Sequence, residues 1–248
     1  MCRMRFRSLP RDIWVPTTVL IGIVLGALAD HDAGIWRQRG VGVVIWILLF
    51  SLLRGESRRV RAQVAVVIIF ATMVEYTASP LLGVYTYRLH NVPLYVPPGH
   101  GIVYLAALSI GRSELAARYR RPFTLGVLAI CGSWAVWGVT LAPRKDALGA
   151  ILFLFLVRFV LVGRQPLVYA GAFVVCTFLE LVGTSAGAWT WATHGPMGVV
   201  SQGNPPSGIP GGYCFLDAAG MMMAPRLLDL VDRLPRLRVE PALEHEAA

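Results

Sequence analysis

The sequence predicts an all-α integral membrane protein, a polytopic bundle of about eight transmembrane helices formed by two parallel four-helix repeats. Composition is the first observation: 56% of the 248 residues are hydrophobic and 15% are charged, against roughly 25% charged residues in soluble domains. The mean hydropathy is +0.60. Apolar runs long enough for a bilayer and a motif that occurs twice are the other two observations. Together they exclude a soluble globular domain.

The predicted helices follow the apolar runs in chain order, and glycine or proline bounds most of them. The second and fourth runs are shorter than the others. The runs cover residues 13–30, 40–53, 62–79, 100–111, 122–142, 147–163, 166–187 and 208–225. We therefore expect a single membrane domain over 1–248, with a first repeat at about 13–111, a second at about 122–225, and a tail at 227–248.

The distribution of basic residues predicts the orientation. The net charge is +9, and the basic residues collect in alternate connections, which the positive-inside rule places in the cytoplasm. They are Arg3, Arg5, Arg7 and Arg11; Arg54, Arg58, Arg59 and Arg61; Arg112, Arg118, Arg120 and Arg121; and Arg226, Arg233, Arg236 and Arg238. Both termini, and the tail, are thus expected in the cytoplasm. This explanation of the charge removes the case for nucleic-acid binding. The excess of arginine over lysine suggests a GC-rich bacterial genome, and we expect the protein in a bacterial inner membrane.

An internal repeat is the most informative feature of the chain. The first copy comprises Glu75, GVYTY at 83–87, His90 and VPPGHG at 96–101. The second comprises Glu180, GAWTW at 187–191, His194 and IPGGYC at 209–214. An even number of helices per copy gives a parallel repeat about an axis along the membrane normal. Both motifs then lie on the non-cytoplasmic side, and Glu75 and Glu180 can face one central cavity.

Three acidic residues lie inside predicted helices: Glu75, Glu180 and Asp217. An ionisable group in hydrocarbon is costly and is usually functional, and burial favours its neutral, protonated form. The alternative is that these groups hydrogen-bond helices together. Histidines at the predicted outer mouth add candidate acid–base groups, namely His90, His100 and His194.

Aromatic residues of the repeated motif have two interpretations. Trp and Tyr are enriched at membrane interfaces, but their ring faces also stabilise cations and could wall a cavity. The candidate substrate-binding residues are Tyr85, Tyr87, Tyr104, Trp189, Trp191, Asn204 and Tyr213. No cofactor and no metal site is predicted, because HExxH and CxxC patterns are absent from the sequence.

The motif resembles a known family. Glu75, GVYTY and the following Val-Pro are similar to the first-half signature of the integral-membrane carotenoid hydratases of the bacterioruberin pathway. GAWTW, Asn204 and IPGGY resemble that family's second-half segment. The resemblance covers about 70–110 and 175–220. It implies that a buried protonated carboxyl protonates an alkene or epoxide of an isoprenoid, and that water or a neighbouring double bond captures the cation.

On that resemblance, Glu75 and Glu180 are acid and base in an order that the sequence leaves open. Asp217 orients or reprotonates them, and the histidines relay protons or position water.

Three functions remain open at this point. The first is a membrane-embedded enzyme that hydrates, cyclises or isomerises an isoprenoid or lipid-like substrate. The second is a small proton-coupled transporter or channel, since parallel repeats with intramembrane acids also occur there. The third is a non-catalytic membrane scaffold. The expected partners are the lipid bilayer and a lipophilic isoprenoid substrate, and the oligomeric state is left open.

Overall fold

The computed structural model describes residues 10–233. The basic residues before Pro10 and the part of the predicted tail from 234 onward lie outside the described residues. Within 10–233 most residues are helical. Its helices are α1 (Arg11–Asp30), α2 (Ile35–Leu53), α3 (Arg58–Tyr76), α4 (Val96–Arg112), α5 (Glu114–Arg118), α6 (Arg120–Thr140), α7 (Ala147–Val162), α8 (Pro166–Ser185) and α9 (Ile209–Arg233).

Each predicted apolar run coincides with one of the long helices to within a few residues, but several helices start earlier than predicted; α3, for example, begins at Arg58 rather than at residue 62. α2 begins at Ile35 and α4 at Val96, where we expected residues 40 and 100. Arg37 and Arg39 are good helix formers and do not end α2. Pro97 and Pro98 occupy the first turn of α4, where a missing N–H costs no helical hydrogen bond. Polar or proline-rich sequence therefore concealed two first turns.

The fold is that of a helical membrane protein. Within residues 10–233, five helices are long and apolar enough to cross a bilayer: α1, α2, α3 with its extension to Leu81, α6 and α8. α7 is a shorter apolar helix. Large apolar side chains cover the outside of the bundle, for example Leu25 at 60%, Ile130 at 63% and Leu154 at 66% exposure, as lipid contact requires.

Helices α4 and α8, together with α3 and α9, form the centre of the bundle. Tyr104 and Val175 are completely buried there. Small residues let the backbones approach closely: a Cβ added to Gly171 of α8 would lie 2.7 Å from the carbonyl oxygen of Ala107 in α4. The α3–α9 contact has a similar close approach at Gly220, where a Cβ would lie 2.7 Å from Val67. The two pairs hold α3, α4, α8 and α9 around one interior.

Two short strands close one end of this interior. β1 (Tyr85–Tyr87) and β2 (Trp189–Trp191) pair antiparallel, with Thr86 opposite Thr190 at the centre. α3 reaches β1 through a π-helical turn, Thr77–Leu81, which contains Pro80 and so cannot continue the α-helical hydrogen bonds. Gly83 and Gly187 precede the strands with φ of +62° and +70°, a conformation that favours glycine. The strand pair thus joins the two motif copies directly.

Candidate active site

A cavity of about 290 Å³, which we call the glutamate chamber, lies beneath the strand pair, between α3, α4, α8 and α9. Its wall includes both repeated glutamates and the aromatic residues of both strands. It also contains His100 of α4 and Tyr213 of α9. Most of the candidate site residues that we predicted from the sequence therefore line this cavity.

Glu75 lies in the last turn of α3 and is 5% exposed. Its Oε2 accepts hydrogen bonds from the hydroxyls of Tyr85 and Tyr87, both at 2.7 Å. Its Oε1 lies 2.8 Å from Nε2 of His100. Because the two tyrosines alternate with outward-facing Thr86 in β1, one strand delivers both hydroxyls to one carboxylate oxygen.

Glu180 lies in α8 and is 3% exposed. Its Oε2 accepts hydrogen bonds from the indole Nε1 groups of Trp189 at 3.0 Å and Trp191 at 3.2 Å. Its Oε1 accepts from the hydroxyl of Tyr213 at 3.3 Å. The pattern is the same as at Glu75: two strand aromatics on one oxygen and one helix residue on the other.

The third partners of the two glutamates meet each other. His100 is the fifth residue of VPPGH in α4, and Tyr213 is the fifth residue of IPGGY in α9. Their rings stack with centroids 5.2 Å apart and an interplanar angle of 24°. A continuous path of side chains thus leads from Glu75 through His100 and Tyr213 to Glu180.

The electrostatic surroundings of the two carboxyl groups differ. Burial, followed by the charge of Glu75, raises the pKa of the Tyr85 phenol, and the same two causes raise that of Tyr87. Both phenols therefore remain protonated and donate to Glu75. The indole groups at Glu180 donate and cannot accept. Glu75 has an imidazole as its third partner and Glu180 a phenol, so one residue type occurs in two chemical settings.

Two buried candidates lie deeper than the cavity wall. Asp217 is one helical turn beyond Tyr213 in α9, is 3% exposed, and its Oδ2 has no hydrogen-bond partner among the described residues. Tyr104 is one turn beyond His100 in α4, and its hydroxyl donates to Oε1 of Gln63 at 3.0 Å. Neither residue lines the cavity.

The remaining candidates lie in the connections outside the cavity. His90 and His194 are exposed, and Nδ1 of His194 lies 3.3 Å from the hydroxyl of its neighbour Thr193. Asn204 is also exposed, and its Oδ1 accepts from the backbone N–H of Trp191 at 2.9 Å. Asn204 thus positions β2, and the structure does not bring the two histidines into the chamber.

Sequence reasoning missed two buried aspartates that organise the connections. Asp30 is 1% exposed and accepts from Gln38 at 3.1 Å and from the Tyr95 hydroxyl at 3.1 Å, while Arg88 lies 3.4 Å away. Its neighbours His31 and Asp32 are exposed, and such a run of polar residues is typical of a solvated connection. Only Arg88 and Tyr95, which lie between GVYTY and VPPGHG of the first motif copy, could have suggested a partner.

Asp146 is the second missed residue. It is 3% exposed, and its carboxylate accepts from the backbone N–H groups of Gly149, Gly203 and Ser207 at 2.9, 2.8 and 2.7 Å. Nearby, Arg144 donates to the carbonyl oxygen of Gln202 at 2.6 Å and to that of Trp191 at 2.7 Å. Desolvation lowers the pKa of Arg144, and the charge of Asp146 opposes that shift. These residues attach the long 192–208 connection to the start of α7.

No group of three or more His, Cys, Asp or Glu side chains within residues 10–233 is arranged to hold a metal ion. Comparison of the chain with protein-family models, with curated proteins and with solved structures found no match.

Proposed function

We propose that this protein is a membrane-embedded enzyme that protonates an alkene or epoxide of an isoprenoid or lipid-like substrate with a carboxyl group. Hydration or cyclisation then follows through a carbocation. One observation carries the proposal: two buried glutamates share a cavity whose walls are aromatic rings. The resemblance to carotenoid hydratases motivates the isoprenoid class of substrate.

Glu180 is the acid in this proposal. Both indole N–H groups bind its Oε2, and an indole donates only. In the neutral carboxyl the proton must therefore be on Oε1, the atom that faces the Tyr213 hydroxyl. The donors on Oε2 fix the orientation of the group, so that the proton is presented to the substrate.

Glu75 is the base. Two phenol hydroxyls and His100 surround its carboxylate, and hydrogen bonds to the charged form of a carboxyl stabilise that form. A carboxylate in this position also stabilises a nearby cation electrostatically. The two glutamates thus have complementary roles despite their equivalent positions in the motif.

The proposed hydration begins with transfer of a proton from Glu180 to the substrate. Oε1 of Glu180 gives its proton to the less substituted alkene carbon, whose π electrons form the new C–H bond and leave a cation on the other carbon. A water oxygen attacks that cation, and the proton it loses goes to Glu75. Exchange of protons with water then restores the neutral form of Glu180 and the charged form of Glu75. In cyclisation a second double bond replaces water, and Glu75 removes a proton from the final cation.

The rings of the chamber suit this intermediate. Tyr85 and Trp191 lie with centroids 4.7 Å apart, and Tyr87 and Trp189 with centroids 6.1 Å apart. Aromatic faces attract cations but do not trap them as a nucleophile would. The wall therefore supports a cation long enough for water or an internal double bond to capture it.

The finer membrane arrangement is also part of the proposal. Eight helices cross the bilayer as two parallel repeats, both termini are cytoplasmic, and the membrane is the bacterial inner membrane. The matched hydrogen bonds of Glu75 and Glu180 support the repeat. The antiparallel register with Thr86 opposite Thr190 also supports it, since a two-fold axis through that pair relates the strands.

The test is turnover by the purified protein in lipid nanodiscs with linear carotenoids, squalene-type hydrocarbons and prenylated phenols. Product formation is expected in the wild type, with losses of at least about a hundredfold in Glu75→Gln and Glu180→Gln, the scale of general acid–base catalysis. Glu114→Gln is the matched control, because Glu114 is exposed in α5.

Unchanged turnover in both chamber variants would remove the proposed roles. Proton flux in liposomes that both chamber variants abolish, with no product from any substrate, would instead support a transporter.

A further inference from the structure

A second cavity, of about 100 Å³, lies between α1, α2, α4 and α8, and we call it the side groove. Aliphatic residues form most of its wall, including Ile23 and Val19 of α1 and Ile45 of α2. Asp30 is the only charged residue among the described residues that line it. The Asp30 carboxylate already has Gln38 and Tyr95 as partners, so the groove offers little to a polar ligand.

The side groove and the glutamate chamber are neighbours that share part of their walls. Tyr95, Gly99, Leu179 and Trp189 line both cavities. Trp189 is also the residue that donates to Oε2 of Glu180 at 3.0 Å. The side groove therefore adjoins the chamber on the side of the proposed acid.

Glycines leave open space in the side groove. A Cβ added to Gly26 of α1 or to Gly99 of α4 would meet no atom within 4 Å, and one added to Gly22 would meet only Leu48 at 3.9 Å. All three residues line the side groove. Helix packing therefore does not require glycine at these three positions, in contrast to Gly171, where an added Cβ would lie too close to the backbone of α4. At these positions the absence of a side chain leaves unfilled space in the side groove.

We propose that the side groove holds the unreactive hydrocarbon tail of the substrate whose reacting end lies between Glu75 and Glu180. The substrate is then a long, flexible, linear apolar chain rather than a compact molecule that the chamber alone would hold. This inference rests on the proposed function for the placement of the reacting end. The shared wall, the apolar lining and the open glycines carry the placement of the tail.

The experiment blocks the groove without touching the chamber's carboxyl groups. Gly26→Leu and Gly22→Leu place a side chain in the groove, whereas Gly126→Leu is the matched control. Gly126 lies in α6, a Cβ there also meets no atom within 4 Å, and it lines neither cavity. Squalene serves as the long probe and geraniol as the short one, and retention by the purified protein in nanodiscs is quantified by mass spectrometry.

Squalene retention is expected to fall at least about tenfold in Gly26→Leu and Gly22→Leu relative to Gly126→Leu, which corresponds to roughly 1.4 kcal/mol of binding free energy. Geraniol retention should stay the same in all three variants. Equal squalene retention in the groove variants and the control would overturn the proposal.

A second measurement uses the wild-type protein, so it does not depend on how a variant folds. A linear isoprenoid alcohol with a diazirine at the end of its tail is photo-crosslinked, and the labelled peptide is identified. Labelling within 19–27 of α1 or 41–48 of α2 supports the groove, and labelling confined to other segments overturns it. The crosslink should persist in Glu75→Gln and Glu180→Gln. If those variants turn over substrate normally while the tail still labels α1, the proposed chemistry fails and the groove stands.

Discussion

At the residue scale, Glu75 and Glu180 show how equivalent positions acquire different chemistry. The first copy of the motif supplies two phenols and an imidazole, and the second supplies two indoles and a phenol. Substitution of Tyr by Trp keeps a donor in place but removes the ability to accept. The difference between the two carboxyl groups therefore comes from their partners.

Loss of one phenol donor should be measurable. We expect Tyr85→Phe to lower the free energy of unfolding by about 1–3 kcal/mol, because a buried acceptor loses a hydrogen bond. Tyr119→Phe, which changes a 49% exposed tyrosine, should stay within about 0.5 kcal/mol. Urea unfolding in mixed micelles measures both values. Equal stability of the two variants would show that the Tyr85 hydroxyl contributes nothing to the folded state.

Backbone conformation gives a prediction with opposite signs at two glycines. Gly83 has φ of +62° and no atom within 4 Å of an added Cβ, so Gly83→Ala should destabilise by about 1 kcal/mol through strain alone. Gly40 is inside α2, also with open space around its Cβ position. Gly40→Ala should stabilise by about 0.5–1 kcal/mol. Thermal unfolding of the two variants should move in opposite directions, and a shift in the same direction would contradict the argument.

At the element scale, the start of α9 packs directly on the backbone of α7. A Cβ added to Gly211 would lie 2.0 Å from the carbonyl oxygen of Leu152, and one added to Gly208 would lie 2.1 Å from that of Gly149. This contact sets the position of Tyr213, which lies only two residues beyond Gly211. The chamber thus depends on a helix–helix distance that only glycine permits.

Two adjacent glycines of α9 provide a matched test of this contact. Gly211→Ala should cost about 1–3 kcal/mol or more, since overpacking forces the backbones of α7 and α9 apart. Gly212→Ala should be tolerated, because its Cβ would meet only side-chain atoms at 3.8 and 3.9 Å. Thermal unfolding distinguishes them, and equal melting temperatures would mean that α7 and α9 are not in close contact.

The Asp146 carboxylate links the connection between β2 and α9 to the start of α7. Asp146→Ala leaves three backbone N–H groups without their acceptor, and each unsatisfied buried donor costs about 1–3 kcal/mol. We expect a large loss of stability together with rapid proteolysis within 192–206. Asp146→Asn keeps one acceptor oxygen and should lose less. Cleavage at the wild-type rate in the Ala variant would contradict this role.

At the scale of the whole molecule, polar contacts on the face opposite the strand pair tie distant elements together. Glu56 lies 3.0 Å from Nε of Arg11 and 3.6 Å from Nη1 of Arg112, and Arg58 pairs with Asp232 near the end of α9. The strand pair closes the other face. The proposed cytoplasmic face thus carries ion pairs, and the proposed outer face carries the motif.

The proposed orientation can be tested by thiol labelling in intact cells. The native cysteines at 131, 176 and 214 are buried, and replacement of Cys2 by serine completes the background. An impermeant maleimide should label His90→Cys and His194→Cys from outside, and should label Arg164→Cys only after the membrane is opened. Labelling of all three sites from one side would contradict an arrangement with α8 crossing the bilayer between Arg164 and His194.

The helices and the composition of the chamber were accessible from the sequence because they depend on local patterns. Apolar runs predict helices, and the two motif copies named Glu75, Glu180 and His100 without coordinates. The same reasoning placed His90 and His194 beside them, whereas the structure leaves both exposed. Spacing along a chain cannot show which way a loop residue points, so the prediction for these two histidines could not be improved from the sequence alone.

The sequence by itself determined that the chain is a helical membrane protein with a duplicated acid–aromatic motif, because hydropathy and repetition are properties of the residues in order. The tertiary structure decided that the two glutamates line one chamber, that Asp30 and Asp146 are buried and hydrogen-bonded, and that a groove between α1 and α2 adjoins the chamber. Those facts depend on contacts between residues far apart in the chain, and helix packing rather than local sequence fixes such contacts.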